Sequence, residues 1–318
     1  MNNEGHTPAE PSGAQEEILL DLRRLVLPIV TTGTDLTIEP VGTAFIIYAN
    51  EKVALALSAA HCFHHIAKLN SPHEKHHETI LSEFRPRLSD IDLHDFKGRV
   101  LYPDLNGQVH VLNLAMAYAL EPGDIAVCRL EIPDSLPSHV RFNKRITIDS
   151  SPPKVGTRIA AIGYSGMEIA EHEIKEKQAH AKVNLKLTRR QGHINNVFPI
   201  TGPRNQPYPC FQCTTPFDHG MSGGPIIDVS EERPVAIGII SSDLSFDVLG
   251  AGSGECALAS ILWPAMCTKM KREILIDTPE PYLIDFEKVG LIEDRGQANK
   301  HVQFTQNSNS GELIMQWN

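Results

Sequence analysis

Three side chains of complementary chemistry stand far apart in this chain, each in a local setting that would present it. His61 closes the small, apolar run Leu57-Ser58-Ala59-Ala60-His61-Cys62. Asp124 follows Glu121-Pro122-Gly123 and opens the apolar stretch Ile125-Ala126-Val127-Cys128. Ser222 sits in Gly220-Met221-Ser222-Gly223-Gly224-Pro225. A serine hydroxyl is inert at neutral pH unless a neighbouring base takes its proton. An imidazole, with a pKa near ~6.5, can take that proton and return it to a leaving group. A carboxylate can hold the other ring nitrogen, fixing the tautomer and stabilising the imidazolium. The chemistry open to such a set is nucleophilic acyl transfer. Taken singly, the histidine reads as a core residue, the aspartate as a turn residue and the hexapeptide as a tight Gly-Pro turn. Their co-occurrence, each in the pattern its role needs, favours the catalytic reading.

The elements that must position them read as short strands. Apolar or alternating runs recur at Val26–Thr31, Gly42–Tyr48, Val53–Ser58, Arg99–Tyr102, Val109–Leu112 and Ile125–Leu130. A second series follows at Arg158–Tyr164, Ala181–Thr188, Pro225–Asp228, Val235–Ser241 and Ala257–Leu262. Many short strands punctuated by Gly, Pro and Asn imply an all-β sandwich or barrel. Glu17–Leu25 could form a short amphipathic helix, and Trp263–Ile276 a second one entered through Pro264. Residues 1–16 are polar and rich in Pro, Gly and Glu, which predicts a disordered tail. His301–Trp317 alternates around Asn307-Ser308-Asn309-Ser310-Gly311, the pattern of a hairpin.

The order His61, Asp124, Ser222 is that of chymotrypsin-type enzymes. On these motifs the chain resembles the chymotrypsin/trypsin-like serine peptidase family, and its bacterial HtrA-like branches more than the secreted digestive enzymes. The resemblance spans roughly residues 25–265. It implies an all-β fold of two six-stranded Greek-key barrels (about 25–133 and 144–265) with the active site in the cleft between them. The peptidase domain would cover 17–275, the barrels joined near Ile132–Asn143, and 276–318 would be a C-terminal extension. It further implies a serine endopeptidase acting on a protein or peptide, with Gly220 and Ser222 N–H groups as the oxyanion hole. The alternative is a catalytically silent pseudoprotease serving as a peptide-binding or scaffold module. G-x-S-x-G also fits the nucleophile elbow of α/β-hydrolases. That fold needs an acid and then a histidine after the serine, and only His301 follows Ser222.

The family's pocket for the residue before the scissile bond would be lined by Thr214–His219, Ser241–Asp243 and about Gly252–Ala257. Pro216, His219, Ser241 and Asp243 are its candidate substrate-binding residues. Pro216 stands six before the serine, where trypsin-like members carry the carboxylate that selects basic side chains. A neutral or apolar side chain at the cleavage site is therefore expected, with Asp218, Asp243 or Glu255 as rim carboxylates. Ser241 corresponds to the serine that supports the buried aspartate. Met221 stands where zymogen-activated relatives carry an aspartate for a new N-terminus. The oxyanion loop must then be held by other contacts, or switched by a regulatory partner or ligand not identified by these residues.

Composition excludes other classes. The net charge of −10 and 21% charged residues argue against nucleic acid or an anionic membrane, which need clustered Lys and Arg. No apolar stretch reaches the ~18 residues of a membrane span, and Met1–His6 lacks the basic-then-apolar pattern of a secretory leader. Of the six cysteines, Cys62 lacks the bridging partner found in secreted relatives, since Val41 stands there. A reducing, cytoplasmic setting is expected. Cys210-Phe211-Gln212-Cys213 is a lone C-x-x-C and reads as two ordinary thiols. His61, His64, His65, His73, His76, His77 and His94 gather nearly half of the 15 histidines. His73-x-x-His76-His77 has the density for zinc, but the segment reads first as a solvated loop and otherwise as a pH-responsive gate. No catalytic metal and no cofactor is expected.

Overall fold

The chain is described from a computed structural model. It covers residues 22–32, 38–63, 87–90, 97–104, 108–121, 123–136, 142, 145–175, 178–200, 202, 208–231, 233–243, 257–271, 283–285, 292–306 and 313–317. The proposed tail 1–16 lies outside them, as does nearly all of the histidine-rich segment, including His64, His65, His73, His76, His77 and His94.

Two closed barrels account for most of the strands. The first is built from β1 (Val26–Thr32), β2 (Ile38–Ala49), β3 (Val53–Ser58), β5 (Lys97–Pro103), β6 (Val109–Glu121) and β7 (Ala126–Glu131), with the edge strand β4 (Arg87–Asp90) added on β6. Pairing of β6 with both β5 and β7 closes the six-stranded ring. The second runs through β9 (Arg158–Tyr164), β12 (Leu187–Phe198), β13 (Cys210–Cys213), β16 (Ala257–Ile261), β15 (Val235–Asp243) and β14 (Pro225–Asp228), and the β14–β15 pairing closes it. A short strand β8 (Thr147–Ile148) lies parallel on β15, and β10 (Glu168–Lys175) with β11 (Gln178–Asn184) forms a separate hairpin. The expected pair of six-stranded barrels is what the chain builds.

Period-two alternation explains how β3 can be wholly buried. Val53, Leu55 and Leu57 point to one face, while Ala54, Ala56 and Ser58 point to the other. The large residues fill space and the small ones let the next layer approach. Buried side chains from both barrels form one continuous hydrophobic cluster, with Phe45, Leu57, Ile162 and Ile239 among them. Each fully buried Leu or Ile of this kind stabilises by roughly 1.5–3 kcal/mol relative to exposure.

Several local expectations needed correction. Ala181–Thr188 is not one strand: β11 ends at Asn184 and β12 starts at Leu187. The expected helix over Trp263–Ile276 stops at Met266. Thr268 turns its hydroxyl back to the Pro264 carbonyl at 2.6 Å. Lys269–Lys271 is then extended as β17 and pairs with β18 (Leu283–Asp285). The expected terminal hairpin is present as β19 (Val302–Gln306) and β20 (Leu313–Trp317). Between these pairs, residues 292–298 dock on the second barrel. Asp294 bridges in parallel to Ile148, and its buried carboxylate accepts from the Ser150 N–H at 3.0 Å and from the Ser150 hydroxyl. Among the described residues, no helix is long and apolar enough to cross a membrane.

Candidate active site

Strand register brings His61 and Asp124 together. Ser58 pairs with Ala126 at the end of the β3–β7 ladder. His61 lies three residues past that pair and Asp124 two before it, so both leave the barrel at the same rim. The chain turns at once after β3, with the Phe63 N–H bonded to the Ala60 carbonyl at 3.0 Å. That turn aims the His61 main chain and ring at one carboxylate. Asp124 Oδ1 accepts the His61 N–H at 2.8 Å, and Oδ2 accepts Nδ1–H at 2.7 Å. The ring nitrogen must donate here because an ionised carboxylate only accepts.

The pair is electrostatically polarised. Burial alone would raise the Asp124 pKa, but the bonds and charge of His61 and the Ser241 hydroxyl pull it below the ordinary carboxylate value. Burial works to lower that of His61, whereas its bond to Asp124, the Cys62 sulfur and the carboxylate's charge raise it above 6.5. The imidazole side chain keeps 48% of its exposure, against 10% for Asp124. A half-open base held by a buried acid can meet a substrate while its inner nitrogen stays dry.

Ser222 enters from the second barrel. The turn preceding β14 is tied to β15 by Gly223 N–H to Ile240 O and Ile240 N–H to Gly224 O, each 2.8 Å. Gly220 and Gly223 adopt φ of +91° and +87°, the left-handed region that favours glycine. A Cβ at Gly223 would collide with the Thr43 carbonyl and the Ser58 hydroxyl, and one at Gly224 with the Ile162 carbonyl. The glycines are therefore needed for close contact as well as for backbone freedom. Among the described residues, neither the Gly220 nor the Ser222 N–H is taken by another group. Nor does a hydrogen bond join Ser222 Oγ to His61 Nε2; that nitrogen lies 3.9 Å from Cys62 Sγ.

Thr43 is the residue that sequence reasoning missed. Its N–H donates to the Ser222 carbonyl at 2.8 Å and its hydroxyl to the Gly220 carbonyl at 2.9 Å. The same hydroxyl accepts the Tyr164 N–H at 2.9 Å, and the Thr43 carbonyl accepts from Ser58 Oγ at 2.7 Å. A fully buried threonine of the first barrel thus anchors the serine turn of the second. Met221, wholly buried against Gly163, completes the anchorage. The signal was Gly42-Thr43-Ala44-Phe45: a lone hydroxyl in a small-residue strand start needs buried partners.

Of the residues expected to line a pocket, Ser241 is buried and its hydroxyl donates to Asp124 Oδ2 at 2.5 Å. Pro216 is half-buried and His219 exposed beside Gly220. Asp218 is engaged by Arg190 through Nε at 3.0 Å and Nη2 at 2.8 Å. Asp243 ends β15, while Glu255 and 252–256 lie outside the described residues. Cys62, Cys128 and Cys210 are free thiols, and burial pushes the Cys210 thiol up to about 12. Among the described residues no group of His, Cys, Asp and Glu could hold a metal ion.

Two closed six-stranded barrels with such a rim define the chymotrypsin-like fold. Residues 42–237 match the trypsin-like peptidase domain, so the chain belongs to the trypsin-like peptidase family. Among solved structures it is similar to Deg5, at 14% identity and a TM-score of 0.47, over 85% of this chain and 100% of that one. It is also similar to the HtrA-type protease AlgW with a decapeptide, at 15% identity and a TM-score of 0.45, over 79% of this chain and 63% of that one. No protein of curated function matches the chain.

Proposed function

We propose that the chain is a serine endopeptidase working through His61, Asp124 and Ser222. The observation that carries this reading is the two-point grip of Asp124 on His61, through the main-chain N–H and Nδ1. Bound so, the ring presents Nε2 as the acceptor that a serine needs. Ser222 Oγ attacks the scissile carbonyl as its proton passes to Nε2. The oxyanion forms against the free N–H groups of Gly220 and Ser222, each such donor worth roughly 3–4 kcal/mol. The imidazolium, stabilised by Asp124, returns the proton to the leaving amine, and a water repeats the sequence on the acyl-enzyme.

The substrate is a protein or peptide with a neutral or apolar side chain before the scissile bond. Pro216 offers no charge, and the Asp218 carboxylate is engaged by Arg190. One observation favours the second reading, a silent binding module: Ser222 and His61 share no hydrogen bond. Catalytic bonds in unliganded sites often tighten only around a substrate, so the hydrolytic reading stands first. The test is labelling by a fluorophosphonate probe, read by intact mass beside Ser222→Ala. One adduct on the native chain and none on the variant is expected. Unlabelled native protein that still binds peptides would establish the silent module instead.

A further inference from the structure

Beneath the Asp124 carboxylate lies a buried polar cluster that the reaction steps above do not use. Tyr208, on the approach to β13, places its phenolic oxygen 2.7 Å from Ser241 Oγ. Ser260, on β16, sets its hydroxyl 3.5 Å from the Asp124 main-chain carbonyl and also reaches the Tyr208 phenol. Ser241, Ser260 and Tyr208 are all buried. They arrive from two strands of the second barrel, β15 and β16, and from the segment leading into β13, whereas Asp124 precedes β7 of the first.

The direction of these bonds follows from the donors available. Asp124 is ionised and only accepts, so Ser241 gives it the hydroxyl proton. Ser241 Oγ is then left with lone pairs alone for Tyr208, and the phenol must donate to it. Burial, and next the Asp124 charge, push the Tyr208 pKa far above the ordinary phenol value, so the proton is present at every working pH. We infer that Tyr208 is a positioning residue for the triad: through Ser241 it fixes and polarises the hydrogen bond that orients Asp124 toward His61. The Asp124 charge holds the Ser241 proton, and a phenol donating to Ser241 Oγ offers that hydroxyl no competing acceptor. With the phenol, the bonds run one way, Tyr208 to Ser241 to Asp124, and each strengthens the next.

This inference rests on the peptidase reading, and its test separates the two. Tyr208→Phe keeps the ring in its pocket against Cys210 and Leu258 and removes only the hydroxyl, with its bonds to Ser241 and Ser260. We expect kcat on a peptide substrate to fall about fivefold with KM nearly unchanged, and Tm to fall modestly, as for loss of a buried hydrogen-bonding hydroxyl. Ser241→Ala should slow the enzyme by about tenfold on the same grounds, and adding Tyr208→Phe to it should cost nothing more. A second reading needs no turnover. The far-downfield proton resonance of His61 Nδ1–H, identified by its loss in Asp124→Ala, should move in Tyr208→Phe. Equal losses from Tyr208→Phe with and without Ser241 would overturn the inference, as would an unmoved resonance. If the native chain neither cleaves peptides nor takes the phosphonate, the peptidase reading falls, while the resonance still decides whether Tyr208 acts on the His61–Asp124 pair.

Discussion

Replacing Asp124 by asparagine tests the site most directly, because the change is one atom. Asp124 accepts three hydrogen bonds, from His61 N–H at 2.8 Å, His61 Nδ1–H at 2.7 Å and the Ser241 hydroxyl at 2.5 Å. In Asp124→Asn, Oδ1 can keep the main-chain bond, but an amide nitrogen takes the place of Oδ2. That nitrogen donates, so Nδ1 must become an acceptor and the ring proton moves to Nε2. The base then faces Ser222 with a hydrogen where a lone pair is needed. A wrong tautomer in a triad of this kind lowers kcat by about 10⁴, or ~5.5 kcal/mol at 1.36 kcal/mol per decade. Folding should change little, about 1 kcal/mol, since the Ser241 hydroxyl can rotate to accept. Steady-state hydrolysis of a peptide, beside a thermal melt, measures both. A variant within tenfold of the native kcat would refute the reasoning, as would a loss of activity matched by unfolding.

Other consequences follow from the same geometry. The proposed mechanism needs neutral His61, whose pKa is raised above 6.5, so kcat/KM should climb with pH along an acid limb above that value; a limb below pH 6 would contradict this. The same shift means the charged pair stabilises fully below the unfolded value of ~6.5, and that contribution fades as pH rises through the folded one. Thr43→Val leaves the buried Tyr164 N–H and Gly220 carbonyl without their hydroxyl partner. It should cost ~2 kcal/mol in urea unfolding and slow phosphonate labelling, whereas Thr43→Ser retains both; equal behaviour of the two variants would remove Thr43 from its anchoring role. Gly223→Ala, at φ +87° and against the Thr43 carbonyl, should destabilise by roughly 2–4 kcal/mol, read as a fall in Tm. Asp294→Ala removes the carboxylate that accepts from Ser150 and from the Gly296 N–H at 3.0 Å. Limited proteolysis should then cut faster within 292–302 while labelling of Ser222 stays at the native rate.

Much of the site could be read before any fold was known, because its chemistry is carried by residue type and immediate neighbours. The hexapeptide around Ser222 is glycine-rich, and Gly220 and Gly223 adopt the positive φ that glycine tolerates. Val53–Ser58, Arg158–Tyr164 and Pro225–Asp228 were legible to the residue, since each is a short, largely apolar run. Trp263–Ile276 misled because helical spacing of apolar residues says nothing about what lies alongside, and Lys269–Lys271 had Leu283–Asp285 to pair with.

Sequence alone singled out the proposed nucleophile, base and acid, and implied that many short strands would carry them. Only the tertiary structure decided what surrounds them: Thr43 reaching from one barrel to anchor Gly220 and Ser222 in the other, the pairing of Asp218 with Arg190, and Tyr208 behind Ser241. A catalytic group announces itself by its own reactivity and local backbone. A supporting hydroxyl is chemically ordinary, and its role exists only once barrel closure brings partners some 30 to 180 residues away within 3 Å of it.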